Sequence, residues 1–355
     1  MGKNMNTFQP NISFRKLYSF GKKLPIDLSL SENPLGCSPK VSLALTQLFQ
    51  ADLFPYPDPD CHQLKRAITK RFQIEIDSLF VANGSEAIIK LLPQVLLRTR
   101  DEVIIPKLTF PMFEIASKMS NGKVIFSEMT SNLDINLEDI KSKITENTKL
   151  IFLCNPNNPT GRVISKKKIM DFIQSIRATV VVDEANIEFG GSTVIREVRR
   201  LKNLIVLRTF SKGFGLAGFR IGFCVARKEI VQILEQVSQP FPVSTVAERV
   251  ALIAFADTGF IKRTKKFMKG ERKFLSHELN KRGFDVFKSQ ANNLLVRVPS
   301  PSAEFISRLN KKGVSVIDGS SFHFDRFSFI RVSPRLRETN LKFIQVIDQL
   351  LVEVK

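Results

Sequence analysis

The chain has 355 residues, 43% of them hydrophobic, and carries 54 basic against 34 acidic side chains, a formal charge of +20. That length accommodates one large and one smaller domain around a sizeable core. Four scattered cysteines and only three histidines exclude a disulfide framework and a zinc site, and no metal is expected.

The cations are spread out. The densest runs (Lys166 to Lys168, Lys262 to Lys266, Arg335 with Arg337) are short and lie in or beside helical patterns, without interleaved aromatic residues. They read as solvated helix faces or as attraction for anionic substrates, and no nucleic-acid partner is expected. MGKNMNTFQPNISFRK at the start has no apolar targeting core, and no stretch reaches membrane-spanning length. A cytoplasmic protein with no membrane partner is the expectation.

Strands and helices alternate through the middle. LFVAN (79–83) predicts a strand and GSEAIIKLLPQVLL a helix. EVIIP (102–106) precedes the helical FPMFEIASKM, and KVIFSE (123–128) follows. KLIFLCN (149–155) precedes the helix KKKIMDFIQSIR, then TVVVDEA (179–185), NLIVLRTF (203–210) and FRIGFCVA (219–226). Near-continuous apolar strands between helices predict an α/β fold with a mostly parallel sheet covered on both faces. Ligands of such sheets bind at the carboxyl ends of the strands. Beyond residue 240 a long helical stretch, 244–282, leads to NLLVRV (293–298), a helix near 302–312, VSVI (314–317), FSFIRV (327–332) and a closing helix. The expected division is an N-terminal segment, 1–40, packing with the small domain, a large domain, 41–240, and a small C-terminal α/β domain, 241–355.

RTFSKGFGLAGFR (208–220) contains the spacing G-x-G-x-x-G at Gly213, Gly215 and Gly218. A dinucleotide turn needs a helix after those glycines. FRIGFCVA reads as a strand, so that use fails. Lys212 remains. A lysine in a small-residue turn after a buried strand has a lowered pKa and attacks carbonyls, the chemistry that anchors pyridoxal phosphate. Asp183 ends a hydrophobic strand, where a carboxylate can keep a pyridine nitrogen protonated; an ordinary strand-end acid looks the same. CNPNNPTGR (154–162) is a rigid turn that aims amides at the same crevice. Gly84 and Ser85 open a helix whose N-terminus offers N–H groups to a phosphate, or is simply capped there.

Together these segments resemble the fold-type I pyridoxal-phosphate enzymes, in particular the histidinol-phosphate aminotransferase-like group. SENPLGCSP (31–39), YPDPD (56–60), NPNNPTG (155–161), SKGFGLAGFRIG (211–222) and IRVSPRLRETN (330–340) carry the resemblance, which runs from about residue 25 to 345. It implies a homodimeric aminotransferase using pyridoxal 5′-phosphate and 2-oxoglutarate in a ping-pong cycle. Lys212 would form the aldimine and shuttle the proton. Asp183 would pair with the pyridinium, and Asn158 would bond the cofactor's 3-oxygen. Ser211 and Arg220 would hold the phosphate with the backbone of Gly84, Ser85 and Glu86. Phe110 would stack on the ring. Arg331 would grip the substrate carboxylate, with Arg337, Asn33 and Tyr18 as further substrate contacts, and Tyr56 would reach the phosphate of the neighbouring subunit. Asn186 stands where the group has a tyrosine, and Arg335 where it has a glycine. Threonine-phosphate decarboxylases share most of these motifs and give the alternative reaction.

Overall fold

The computed structural model describes residues 21–48, 55–323 and 328–353. In chain order, β1 (Ile26–Asp27), α1 (Pro39–Leu48) and α2 (His62–Phe72) lead into β2 (Leu79–Ala82), α3 (Ser85–Leu96), β3 (Glu102–Pro106), α4 (Met112–Met119) and β4 (Lys123–Ser127). Next come α5 (Leu137–Ser142), β5 (Thr148–Cys154), α6 (Lys166–Gln174), β6 (Thr179–Asp183), β7 (Leu204–Thr209), β8 (Gly222–Val225), α7 (Lys228–Val237), α8 (Thr245–Ala256) and α9 (Thr258–Lys281). The chain closes with β9 (Asp285–Val286), β10 (Leu294–Arg297), α10 (Ser302–Lys311), β11 (Val314–Ser315), β12 (Ile317–Asp318), β13 (Phe329–Val332) and α11 (Arg337–Val352).

The central sheet has seven strands in the order β2-β8-β7-β6-β5-β3-β4, and β8 alone runs against the others. Alternate residues of its strands enter opposite layers. Val180, Val182, Val206 and Leu153 pack with residues of α2, α6 and α8. Val181, Ile205, Leu207 and Phe152 pack with α3, α4 and α7. Burial on both faces is why these strands are continuously apolar. A smaller antiparallel sheet, β12-β13-β10-β9, shares a third core with α9, α10 and α11. β1 pairs in parallel with β11, so the segment around residue 27 is laid beside the small sheet.

Three expectations change. The stretch 244–282 is two helices. Asp257 breaks it: its carboxylate accepts the Phe260 N–H at 3.0 Å and the Ser38 hydroxyl at 2.6 Å, capping α9. VSVI is two short strands in different sheets, with Val316 turned into the core between them. The strand expected from 219 begins at Gly222, because 217–219 form a 3-10 turn and Arg220 is left-handed at φ 53°. Asp257→Ala removes the cap of α9 and the partner of Ser38. It should lower unfolding stability by about 1–2 kcal/mol in urea titration.

Candidate active site

The reversed strand assembles the site. Gly222 opposes Ala82 on one side and Thr209 on the other. The start of β8 therefore meets the carboxyl ends of β2 and β7. A Cβ on Gly222 would come within 2.5 Å of the Ser85 nitrogen and 2.9 Å of the Arg208 carbonyl oxygen, so only glycine permits this approach. The N-terminus of α3, the turn carrying Lys212 and the residue Arg220 are thereby drawn together.

A cavity of about 420 Å³ lies at this convergence. Ser85 and Glu86 of α3, Phe110 after β3, Asn158 after β5, Asp183 and Asn186 at the end of β6, Ser211 and Lys212 after β7, Arg220 before β8 and Arg331 on β13 all line it. Gly84, at φ 83°, is the N-cap of α3 with no side-chain cap, and a Cβ there would touch the Arg220 guanidinium at 3.0 Å. Unsatisfied N–H groups and a guanidinium at one helix end make an anion cradle. In the asparagine-rich turn, Asn155 and Asn157 are spent on the fold: Asn155 bonds both the N–H and carbonyl of Ile164, and Asn157 binds Leu108, Thr109 and Thr160. Asn158 is left for the cavity and accepts from Arg331 at 2.9 Å.

Burial sets the electrostatics. It pushes Asp183 up to about 6, although the Ala185 N–H bonds its carboxylate at 2.9 Å and Lys212 also opposes the shift. It pushes the Lys212 amine, partly open to the cavity, down to about 8, helped by Arg331, Arg220 and Arg335. At pH 7 roughly one such amine in ten is neutral, against about three in ten thousand at the ordinary value. Arg331 is buried, donates to the Ser29 carbonyl at 2.8 Å and stands 5.5 Å from the Phe322 ring centroid. Asn186 is also buried, and its amide oxygen has no partner among the described residues.

The structure does not bring every expected residue to the cavity. Arg337 is ion-paired with Glu271 at 2.8 Å and lies over the Phe274 ring at 3.8 Å, because a buried carboxylate on α9 needs it. Asn33 donates to the Gly213 carbonyl at 2.9 Å, so it supports the Lys212 turn and is not among the residues lining this cavity. Tyr56 is 81% exposed and stacks on Phe241. Tyr18 lies outside the described residues. Arg335 is fastened to the Asp27 carbonyl and the Glu32 carboxylate. Sequence reasoning missed Thr209, Glu32 and Asn293, which also line the cavity. Asn293 stands in the doublet Asn292-Asn293 before a strand, the one local signal available. A larger groove of about 660 Å³ lies between the 130–141 and 162–175 segments and holds none of these residues. Asp58, Asp60 and His62 offer ligand atoms within 4.8 Å of one another, but the His62 Nδ1 already bonds Asp58.

A mostly parallel sheet with a buried carboxylate and a depressed lysine at its strand ends defines a class of cofactor-dependent group-transfer enzymes. The family model for class I and II aminotransferases matches residues 24–347, and the chain belongs to that family. A histidinol-phosphate aminotransferase of Caldicellulosiruptor saccharolyticus is 33% identical over 337 residues, 93% of each chain. The crystal structure of the histidinol-phosphate aminotransferase from Clostridium acetobutylicum is similar with a TM-score of 0.85 at 28% identity, over 91% of this chain and 98% of that one. The histidinol-phosphate aminotransferase from Sinorhizobium meliloti, solved in complex with pyridoxal-5′-phosphate, superposes with a TM-score of 0.84 at 22% identity, covering 93% and 92%.

The three motif glycines are not equivalent. Gly215 has φ 72° and lies against the Gly36 carbonyl, and Gly213 lies against the Glu188 side chain. Among the described residues, nothing stands within 4 Å of a Cβ on Gly218. Gly215→Ala should cost more than about 2 kcal/mol through left-handed strain and overpacking, and Gly218→Ala less than about 1 kcal/mol. Chemical denaturation of the two variants measures the contrast.

Proposed function

We propose that the chain is a cytoplasmic pyridoxal 5′-phosphate-dependent transaminase. It moves an amino group from an amino acid or a phosphorylated amino alcohol of the histidinol phosphate kind to 2-oxoglutarate, in the two halves of a ping-pong cycle. The observation that carries this reading is one cavity in which a depressed lysine amine and an elevated buried carboxylate occur with two guanidinium groups, Arg220 and Arg331.

The residues fit the cofactor. The uncapped N-terminus of α3, Ser211 and Arg220 suit its phosphate. Asp183 is a buried carboxylate with no cation bonded to it among the described residues, and a ring nitrogen bearing a proton would meet that need. The side-chain N–H groups of Asn186 and Asn158 could donate to a ring oxygen, and Phe110 offers a face for stacking. When bound, the cofactor supplies an aldehyde carbon for amines and a ring that accepts the electron pair of the broken Cα–H bond.

The protein's own groups do the rest. Arg331 grips the donor carboxylate as a fork, its guanidinium oriented by Asn158 and the Ser29 carbonyl. The Lys212 amine, neutral often enough near pH 7, would hold the cofactor through its aldehyde carbon. Its Nζ then takes the proton from the donor's Cα, a role worth about 10²–10⁴-fold in typical cases. Asp183, as a carboxylate, would keep the ring nitrogen protonated. The working unit is a homodimer in which Tyr56 reaches the phosphate site of the second copy. Its exposed stack on Phe241, itself 43% exposed, supports a contact between copies. No helix among the described residues is long and apolar enough to cross a membrane.

The purified dimer should bind pyridoxal phosphate with a visible absorbance band that borohydride fixes to Lys212. Lys212→Ala should bind donors without turnover, and a donor panel scored for amino transfer against CO₂ release identifies the reaction. A protein that stays colourless with added cofactor overturns the proposal. A second expectation concerns the cofactor-free protein. Asp183 has a folded pKa of about 6 against an unfolded 3.8, so the unfolded chain ionises first and this group costs stability as pH rises from about 4 to 6. Asp183→Asn should therefore match wild type near pH 4 and exceed it by about 2–3 kcal/mol above pH 6. Paired melts at the two pH values give the difference.

A further inference from the structure

Beneath the cavity three buried charges meet. Arg208 on β7 donates to the Glu184 carboxylate at 3.3 Å and to the Glu188 carboxylate at 2.5 Å. Burial opposes its charge, and the two carboxylates overcome that cost. A buried ion cluster of this kind is weak evidence for stability, because packed apolar residues often serve as well. Its placement gives it another use.

Glu184 follows Asp183 directly, and Glu188 lies two residues beyond Asn186. One carboxylate therefore adjoins Asp183, and the two together flank Asn186. Glu184 is itself anchored by the Thr193 hydroxyl at 2.6 Å and the Val194 N–H at 2.7 Å. Arg208 precedes Thr209 and the turn that carries Lys212. Glu188 is the floor of that turn: a Cβ on Gly213 would fall 2.5 Å from the Glu188 Cβ and 2.7 Å from its Cγ. From another side Asn33 holds the Gly213 carbonyl at 2.9 Å. The second oxygen of Glu188 has no hydrogen-bond partner among the described residues, so Arg208 is the group that fixes its carboxylate.

We propose that Arg208 is a positioning residue for amino transfer: it holds Glu188 under Gly213 and so sets where Lys212 stands relative to Asp183 and Asn186. This rests on the reading of Lys212 and Asp183 given above. Arg208 touches neither donor nor cofactor. It joins the end of β6 to the turn after β7 through a rigid planar fork that an ammonium cannot reproduce. Displacement of a reacting group by about 1 Å costs up to 10²-fold in rate.

The test uses the cofactor-loaded enzyme and its Arg208→Met, Arg208→Lys and Glu188→Gln variants. The visible circular dichroism of the bound cofactor, taken per mole bound, reports how the ring is held. Arg208→Met should keep its cofactor, lose about half or more of that signal and lose roughly tenfold or more in kcat, with the donor KM within about twofold. Arg208→Lys should fall between it and wild type in both. Unchanged dichroism and kcat in Arg208→Met overturn the proposal. If that variant does not fold, the near-isosteric Glu188→Gln decides: a smaller signal and lower kcat uphold the proposal, and wild-type values of both overturn it. Wild-type protein that binds no cofactor overturns instead the reading of the site.

Discussion

The pairing of Gly222 between Ala82 and Thr209 is the constraint on which the site depends. A sheet of parallel strands alone would separate β2 from β7 by a strand whose amino end lies on the far side. Reversing β8 places its first residue at the same edge as the carboxyl ends of its neighbours. The left-handed Arg220, two residues earlier, then stands beside Gly84 at the head of α3. Non-glycine residues in this conformation are uncommon and persist where surroundings hold them. Here the holding groups are the sheet register and the Ala217 carbonyl, which accepts from Arg220 at 3.1 Å. One strand reversal thus produces the anion cradle and brings it to the lysine.

The same convergence concentrates charges that the protein's own groups do not fully satisfy. Burial drives both Asp183 and Lys212 toward their neutral forms. A ligand that offers a cation to the carboxylate and a carbonyl carbon to the amine relieves both at once. Relief present only in the bound state appears as affinity and, by linkage, as added stability. Glu184 differs from Asp183, its neighbour in sequence. It is buried too, yet is bonded by a hydroxyl, an N–H and Arg208, and so belongs to the scaffold.

Much of this was legible in the chain. Continuous apolar strands separated by helical periods give the central sheet, because both its faces are covered. The residues after each strand give most of the cavity, because a parallel sheet gathers strand ends at one edge. Local pattern failed where a distant partner decides. The helix break at Asp257, by contrast, had a local mark, the carboxylate that caps α9 at the Phe260 N–H, which the periodic pattern ran over; Ser38, more than two hundred residues away, adds a second bond to it. The split of VSVI depends on β1 reaching across to take one half. Arg337 matches its motif by spacing, yet its direction is set by Glu271 on a separate helix. Arg208 sits inside the most informative stretch of the sequence, but its two carboxylates are 20 and 24 residues back, and nothing local marks them as its partners.

The segment 27–33 shows why the two sheets cannot be considered separately. Asn33 bonds the Gly213 carbonyl beside the lysine, and the Ser31 carbonyl accepts from Asn292 of the smaller domain at 2.6 Å. The Ser29 carbonyl orients Arg331, and Glu32 with the Asp27 carbonyl anchors Arg335. Seven residues of chain therefore bond to the lysine turn and to the arginine that would receive a donor carboxylate. Any shift of the small sheet against the large one must carry this segment along or break several buried hydrogen bonds, each costly to leave unmade. The distance between the Lys212 amine and the Arg331 guanidinium is set by this crossing segment together with the Asn158–Arg331 bond. In the proposed reaction that distance would decide which donors can place a Cα–H beside Lys212.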